Sequence, residues 1–282
     1  MRRTSRALVQ IALISVGCGV LHAAELDAVY LKPAGFYITA GRPVQVRASQ
    51  GSGIQVRSVP WPTDQINWLF IRATNSQENR EDVGPRDAGS DFIEITVNKP
   101  GVALVGLDAK PDLQSWSAAE LDPFLKRNLT TEAYQEFTAR AKEKSVWKIR
   151  RVQYAKTLVR IADADAQSPA PSSVAMSKTG QIAELRAMID PTLALVGGDL
   201  PLRTYVDCDA LGGVKVLAAC VATGKTQEAL CDKAGFANIR IDSTGEWRVE
   251  FHAWRPPPDE SCDGALYSAT LTFEVTRTEA GK

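Results

Sequence analysis

Apolar and polar residues alternate in short runs from Glu25 to about Asp108, and turn residues separate the runs. Side chains on a strand point to opposite faces in turn, so this period predicts strands over residues 29–32, 36–39, 44–48, 54–58, 66–72, 92–97 and 102–107. Lys99-Pro100-Gly101 supplies a turn between the last two, because proline fixes one φ and glycine permits another. Short strands at this spacing predict a β-sandwich.

The period changes after Pro111. Between 117 and 144, Leu121, Phe124, Leu125, Leu129, Tyr134 and Phe137 recur at helical spacing, with Pro123 placed for a first turn. The first helix is expected to stop near Asn128 and a second to begin at Thr130-Thr131-Glu132. Strand character returns over 146–161, where Trp147, Ile149, Val152 and Tyr154 are among the apolar residues. Residues 163–180 are rich in Ala, Ser and Pro without an apolar period, the composition of a flexible connection.

Alternation restarts at Ile182. Tyr267, Ala269, Leu271, Phe273 and Val275 share one face of a half-buried strand, and Ala237, Ile239 and Ile241 share another. Asp232-Lys233-Ala234-Gly235 is a turn. In 247–254, Trp247, Val249, Phe251 and Ala253 form the core face, which leaves Arg248, Glu250, His252 and Trp254 on the outer, solvent face. The expected fold is therefore mainly β: two immunoglobulin-like or prealbumin-like sandwiches, 25–162 with a helical insertion at 117–144, and 181–278, joined by a linker at 163–180.

The first residues set the compartment. Arg2, Arg3 and Arg6 precede an apolar run that ends in small residues at Ala23 and Ala24, which reads as a cleaved secretory signal over 1–24. Cys18 gives a lipoprotein alternative. The expected location is periplasmic or secreted, with no membrane span in the mature chain. Acidic and basic residues balance at 33 each, so no basic field suits nucleic acid. Cys208, Cys220, Cys231 and Cys262 remain after the signal, an even number that suggests two disulfides in an oxidising compartment. A hairpin turning near Lys225 and Thr226 would place Cys220 opposite Cys231 and leave Cys208 to Cys262; two other pairings stay open. No C-x₂₋₄-C knuckle supports a zinc site.

Four segments taken in order resemble the DUF4198 family of exported bacterial proteins, often described as nickel-uptake-like. "AVYLKPAGFYITAGRPVQVRA" resembles its opening strand and "RVQYAKTLVRI" its central strand. "AELRAMIDPTLALVGGDLPLRTYVD" and "GFANIRIDSTGEWRVEFHAW" are similar to the start of its second domain and to its ending. The resemblance implies an exported, non-catalytic binding or accessory protein linked to transition-metal uptake, with a membrane transporter component as partner. Family members carry a histidine near the mature amino terminus, where this chain has Asp27.

The candidate chemistry is sparse. His252 and Glu250 lie two positions apart on one strand face, roughly 7 Å along it, and with Asp27 they form the candidate ligand set for a divalent transition metal. Trp61, Trp68 and Trp116, and Trp254 on the outer face, are candidates for an aromatic platform that binds peptide or polysaccharide, which gives the alternative reading of a surface interaction module with a cell-surface ligand. No G-x-S-x-G or H-E-x-x-H motif occurs, and the resemblance of residues 222–226 to a phosphate loop fails at Ala219. No catalytic residue is assigned.

Overall fold

A computed structural model describes residues 26–59, 65–73, 81–82, 92–162 and 170–278. The signal segment 1–24, Trp61 and residues 163–169 of the expected linker lie outside the described residues. The first half contains β1 (Ala28–Pro33), β2 (Tyr37–Thr39), β3 (Pro43–Ser52), β4 (Gln55–Val59), β5 (Ile66–Ala73), β6 (Glu81–Asp82), β7 (Ile93–Thr96), β8 (Gly101–Ala109), β9 (Asp112–Ser117), helices α1 (Ala118–Asn128) and α2 (Thr131–Ala141), and β10 (Val146–Ala162). The second contains β11 (Ala183–Ala187), β12 (Leu195–Val196), β13 (Asp199–Val206), β14 (Asp209–Ala210), β15 (Lys215–Cys220), β16 (Lys225–Leu230), β17 (Phe236–Arg240), β18 (Gly245–Arg255), β19 (Gly264–Val275) and β20 (Arg277–Thr278).

These strands stack in layers around one shared sheet. The central sheet has ten strands, in the order β16-β15-β18-β19-β10-β8-β5-β6 with β2 and β9 also on β10. A four-stranded antiparallel sheet of β1, β3, β4 and β7 covers part of one face, and a second, of β11, β13, β14 and β17, covers the other. The mainly β sandwich expectation holds, with both sandwiches built on the same middle layer. The junction is a parallel pairing of β10 with β19, from Ile149 opposite Gly264 to Thr157 opposite Thr272.

Strand β10 explains why the layers form. Its even positions Val152, Tyr154 and Leu158 enter the core beneath β11 and β13, while Ala155, Val159 and Ile161 enter the core beneath β1 and β3. A strand covered on both faces loses the polar face that a half-exposed one shows. Helices α1 and α2 cover the start of the same odd face: Leu121, Leu125 and Phe137 pack with Trp147, Ile149, Trp254 and Leu266. Ser117 fixes the entry of α1, since its Oγ accepts from Glu120 N at 3.2 Å while Glu120 Oε2 accepts from Ser117 N at 2.8 Å.

The described part of the expected linker is folded against the core. Ser172, Val174, Ala175 and Thr179 are buried. Asp190 Oδ2 accepts from Ser172 N at 2.9 Å, and Arg186 Nε donates to the Met176 carbonyl at 2.6 Å. A segment without periodicity reads as solvated because hydrogen bonds to its backbone leave no apolar period, and here the partners are an arginine and an aspartate 10 and 18 residues further on.

The cysteine pairing is corrected: the four described cysteines, Cys208, Cys220, Cys231 and Cys262, are free. The hairpin register sets Cys220 opposite Lys225, whereas Cys231 N bonds to the Val214 carbonyl at 2.9 Å. The turn falls earlier than expected, so the two thiols lie at opposite ends of the hairpin, about 20 Å apart at the rise of a strand. Among the described cysteines only Cys208 is exposed, and burial raises the Cys231 thiol pKa. A thiol-specific reagent should therefore modify Cys208 alone in the native protein; rapid native modification of Cys220 or Cys231 would contradict this placement.

Gly264 is a second check on the packing. A Cβ built there would collide with the indole of Trp254, which lies across it. Gly264→Ala should cost about 1–3 kcal/mol by overpacking, read as a lower urea midpoint with an unchanged slope. A midpoint within error of the parent would refute the contact.

Candidate binding cleft

The face of β18 expected to meet solvent is buried. Arg248 is 4% exposed, Glu250 2%, His252 3% and Trp254 8%. Sheet β1/β3 and helix α1 lie over it, and its polar groups are matched across the layers. Tyr30 Oη donates to Glu250 Oε2 at 2.7 Å, and Ser52 Oγ donates to Oε1 at 2.7 Å. His252 Nε2 lies 3.7 Å from Glu250 Oε2, and its Nδ1 shares a hydrogen bond with Ser268 Oγ at 2.8 Å. Phe124 closes the far side with an edge-on ring contact at 4.8 Å. Burial alone would raise the Glu250 pKa, but the hydrogen bond and charge of His252, followed by Tyr30 and Ser52, outweigh it and hold the carboxyl below its ordinary range. Burial, then the Glu250 charge, pushes the Tyr30 hydroxyl well up.

The proposed metal ligands are only partly assembled. Glu250 and His252 adjoin, whereas Asp27 pairs with Arg57 at 3.7 Å and its carbonyl accepts from Arg151 Nη2 at 2.6 Å. Asp27 is three residues from Tyr30 on β1's line, so strand alternation turns the two side chains to opposite faces. Among the described residues no group of three or more His, Cys, Asp and Glu is arranged to hold a metal. Both nitrogens of His252 and both oxygens of Glu250 already have partners. The set does not fit a divalent transition metal, which asks for three or four converging donors.

The tryptophans separate as well. Trp254 is buried, with its ring 6.1 Å from that of Trp147, and so is no platform. Trp68 is half-buried and tilts on Phe70 at 5.5 Å. Trp254 edges a smaller cavity of about 280 Å³ beside Leu129 and Ala253, whereas Trp116 borders a cleft of about 600 Å³ that also receives Asp27.

That cleft follows from the odd face of β10. Trp147 and Ile149 lie under the helices, and Ala155, Val159 and Ile161 lie under the small sheet. Arg151 and Gln153 stand between, where neither cover reaches, and line the cleft. β9 runs antiparallel to β10 with Asp112 opposite Arg151 and Trp116 opposite Trp147. Alternation therefore delivers Asp112, Gln114 and Trp116 to the same side. Val29, Ala48 and Leu107 form its apolar floor, and Gln50 and Arg57 face across from the small sheet.

Arg151 is held by neutral groups. Its Nη1 donates to Gln114 Oε1 at 3.2 Å and its Nη2 to the Asp27 carbonyl, while Gln114 Nε2 donates to Asp112. Burial lowers the guanidinium pKa by more than the nearby charges of Asp112 and Asp27 restore. Trp116 Nε1 and Gln153 Oε1 are closed off from solvent and have no partner among the described residues. Arg57, Gln114, Arg151 and Gln153 were invisible as site residues in the sequence; the one trace is that Arg151 and Gln153 interrupt a set of odd positions that is apolar apart from Thr157.

No family model and no curated protein matches the chain. Among solved structures, the D0-D1 domain of intimin aligns at 13% identity over 87% of this chain and 97% of that one, with a TM-score of 0.21. Murine CEACAM1b aligns at 9% identity over 88% and 99%, also at 0.21. Superposition this loose carries no inference about either fold or function.

Proposed function

We propose that the chain is an exported, non-catalytic binding protein that seats a peptide or polysaccharide in the cleft between β9, β10 and the small sheet. The supporting observation is the break in cover over β10, where Arg151 and Gln153 face an open volume in place of core. At about 600 Å³ the cleft falls in the range usual for small-ligand sites, roughly 300–1,000 Å³. Its lining is more polar than such sites usually are, with charged and amide side chains from β9, β10 and the small sheet over a floor of Val29, Ala48 and Leu107. No helix among the described residues is long and apolar enough to cross a membrane.

Calorimetry of the mature protein against panels of oligosaccharides and short peptides tests this reading. Binding by a member of either panel, lost in Gln153→Leu with the unfolding midpoint retained, is the expected result. The absence of binding to both panels, or binding that Gln153→Leu leaves intact, would sink it.

A further inference from the structure

The geometry points to a carboxylate-bearing saccharide, an oligomer of uronic acid, as the ligand of this cleft. The inference rests on the cleft being a ligand seat and goes on to name the chemistry it takes. Three features carry it.

The first is Arg151. A guanidinium offers five N–H donors in a planar fork that matches a carboxylate. Here two nitrogens are engaged, both by neutral oxygens, Gln114 Oε1 and the Asp27 carbonyl. No ion pair joins Arg151 to a carboxylate of the described residues. The carboxylates of Asp112 and Asp27 act on Arg151 without pairing with it, and with Arg57 and Lys110 the cleft carries three cations against these two, an excess that suits an anion from outside.

The second is the set of amides. Gln50, Gln65, Gln114 and Gln153 all line the cleft. An amide both donates and accepts, as a sugar hydroxyl does. The third is the wall formed by Trp116 and Gln153, where the indole N–H and the amide oxygen have no partner among the described residues. Both atoms are closed off from solvent, so a guest's hydroxyls reach them only when the side chains turn toward the cleft, while the indole itself suits the apolar face of a sugar ring. An acidic peptide could answer Arg151, but its N–H and C=O groups are separate and point alternately, a poorer match to clustered amides.

The test compares three probes by calorimetry at low ionic strength: a galacturonic acid trimer, the neutral galactose trimer of the same linkage, and triglutamate. The uronate should bind at least about tenfold tighter than the neutral trimer, as a charge-assisted bidentate contact predicts. Added salt should narrow that gap. Arg151→Gln should remove the preference while weak binding of the neutral trimer persists; should this variant fail to fold, the unmutated protein's preference between the trimers decides. Equal affinity for both trimers overturns the uronate assignment and leaves the seat standing. Binding of triglutamate alone also overturns it and makes the ligand a peptide. No binding of any probe removes the uronate and counts against the seat.

Discussion

Glu250→Ala should destabilise the fold by about 3–5 kcal/mol, because two buried hydroxyl donors lose their acceptor at about 1–3 kcal/mol each. The side chains of Glu250 and His252 are 2% and 3% exposed. Removing the carboxylate leaves Tyr30 Oη, Ser52 Oγ and His252 Nε2 facing a void with no acceptor. Urea unfolding measures the loss. A change below about 1 kcal/mol would mean that water replaces the carboxylate at little cost.

The same residue sets an acid limit. The folded Glu250 carboxyl has a pKa below its ordinary value of 4.5. In the native state the charged form is favoured, so its contribution is fully present above the unfolded pKa and is lost as pH falls through the lower, folded one. The stability gap between the parent protein and Glu250→Ala should thus be constant near neutrality and close below about pH 4.5. A gap that widens on acidification would reverse the assignment.

Glu184→Leu is the second large expected effect. Lys156 Nζ meets Glu184 Oε1 at 2.8 Å with both side chains 3% exposed, and the same oxygen accepts from Thr179 N at 2.7 Å. Burial already lowers the Lys156 pKa despite the opposing charge of Glu184. Taking Glu184 away strands the ammonium in the core and should cost about 3–5 kcal/mol. Adding Lys156→Met should recover most of that loss, because an apolar pair of similar volume is commonly neutral or stabilising. Chemical denaturation of the two variants checks both halves of the prediction. A double variant as unstable as the single one would show that the Thr179 contacts matter more than the charge.

Local patterning was legible where one period governed a whole segment. Helices α1 and α2 and the strands over 146–161 and 267–275 appear where the residues indicate, although the last, expected to be half-buried, has Ser268, Thr270 and Thr272 buried as well. The misreading of β18 is instructive. Alternation correctly groups Arg248, Glu250 and His252 on one face, but it carries no information about whether another layer covers that face. The partners that make burial tolerable, Tyr30 and Ser52, lie about two hundred residues earlier. The cysteine error has a smaller cause: a hairpin turn placed a few positions late moves every facing pair, so Cys220 meets Lys225 instead of Cys231. Arg151 and Gln153 gain meaning only once two covers are seen to stop on either side of them.

The parallel pairing of β10 with β19 also dictates an order of events. The edge of β10 over 149–157 finds its neighbour only when 264–272 arrives, after more than a hundred further residues. A chain that emerges amino terminus first holds that edge unpaired until nearly all of it has appeared, and an unpaired strand edge is a template for association with other chains. Closing so distant a contact is slow, since the loop entropy is lost before the pairing returns anything. Folding of the first half thus waits on β19, and the two halves gain their stability together.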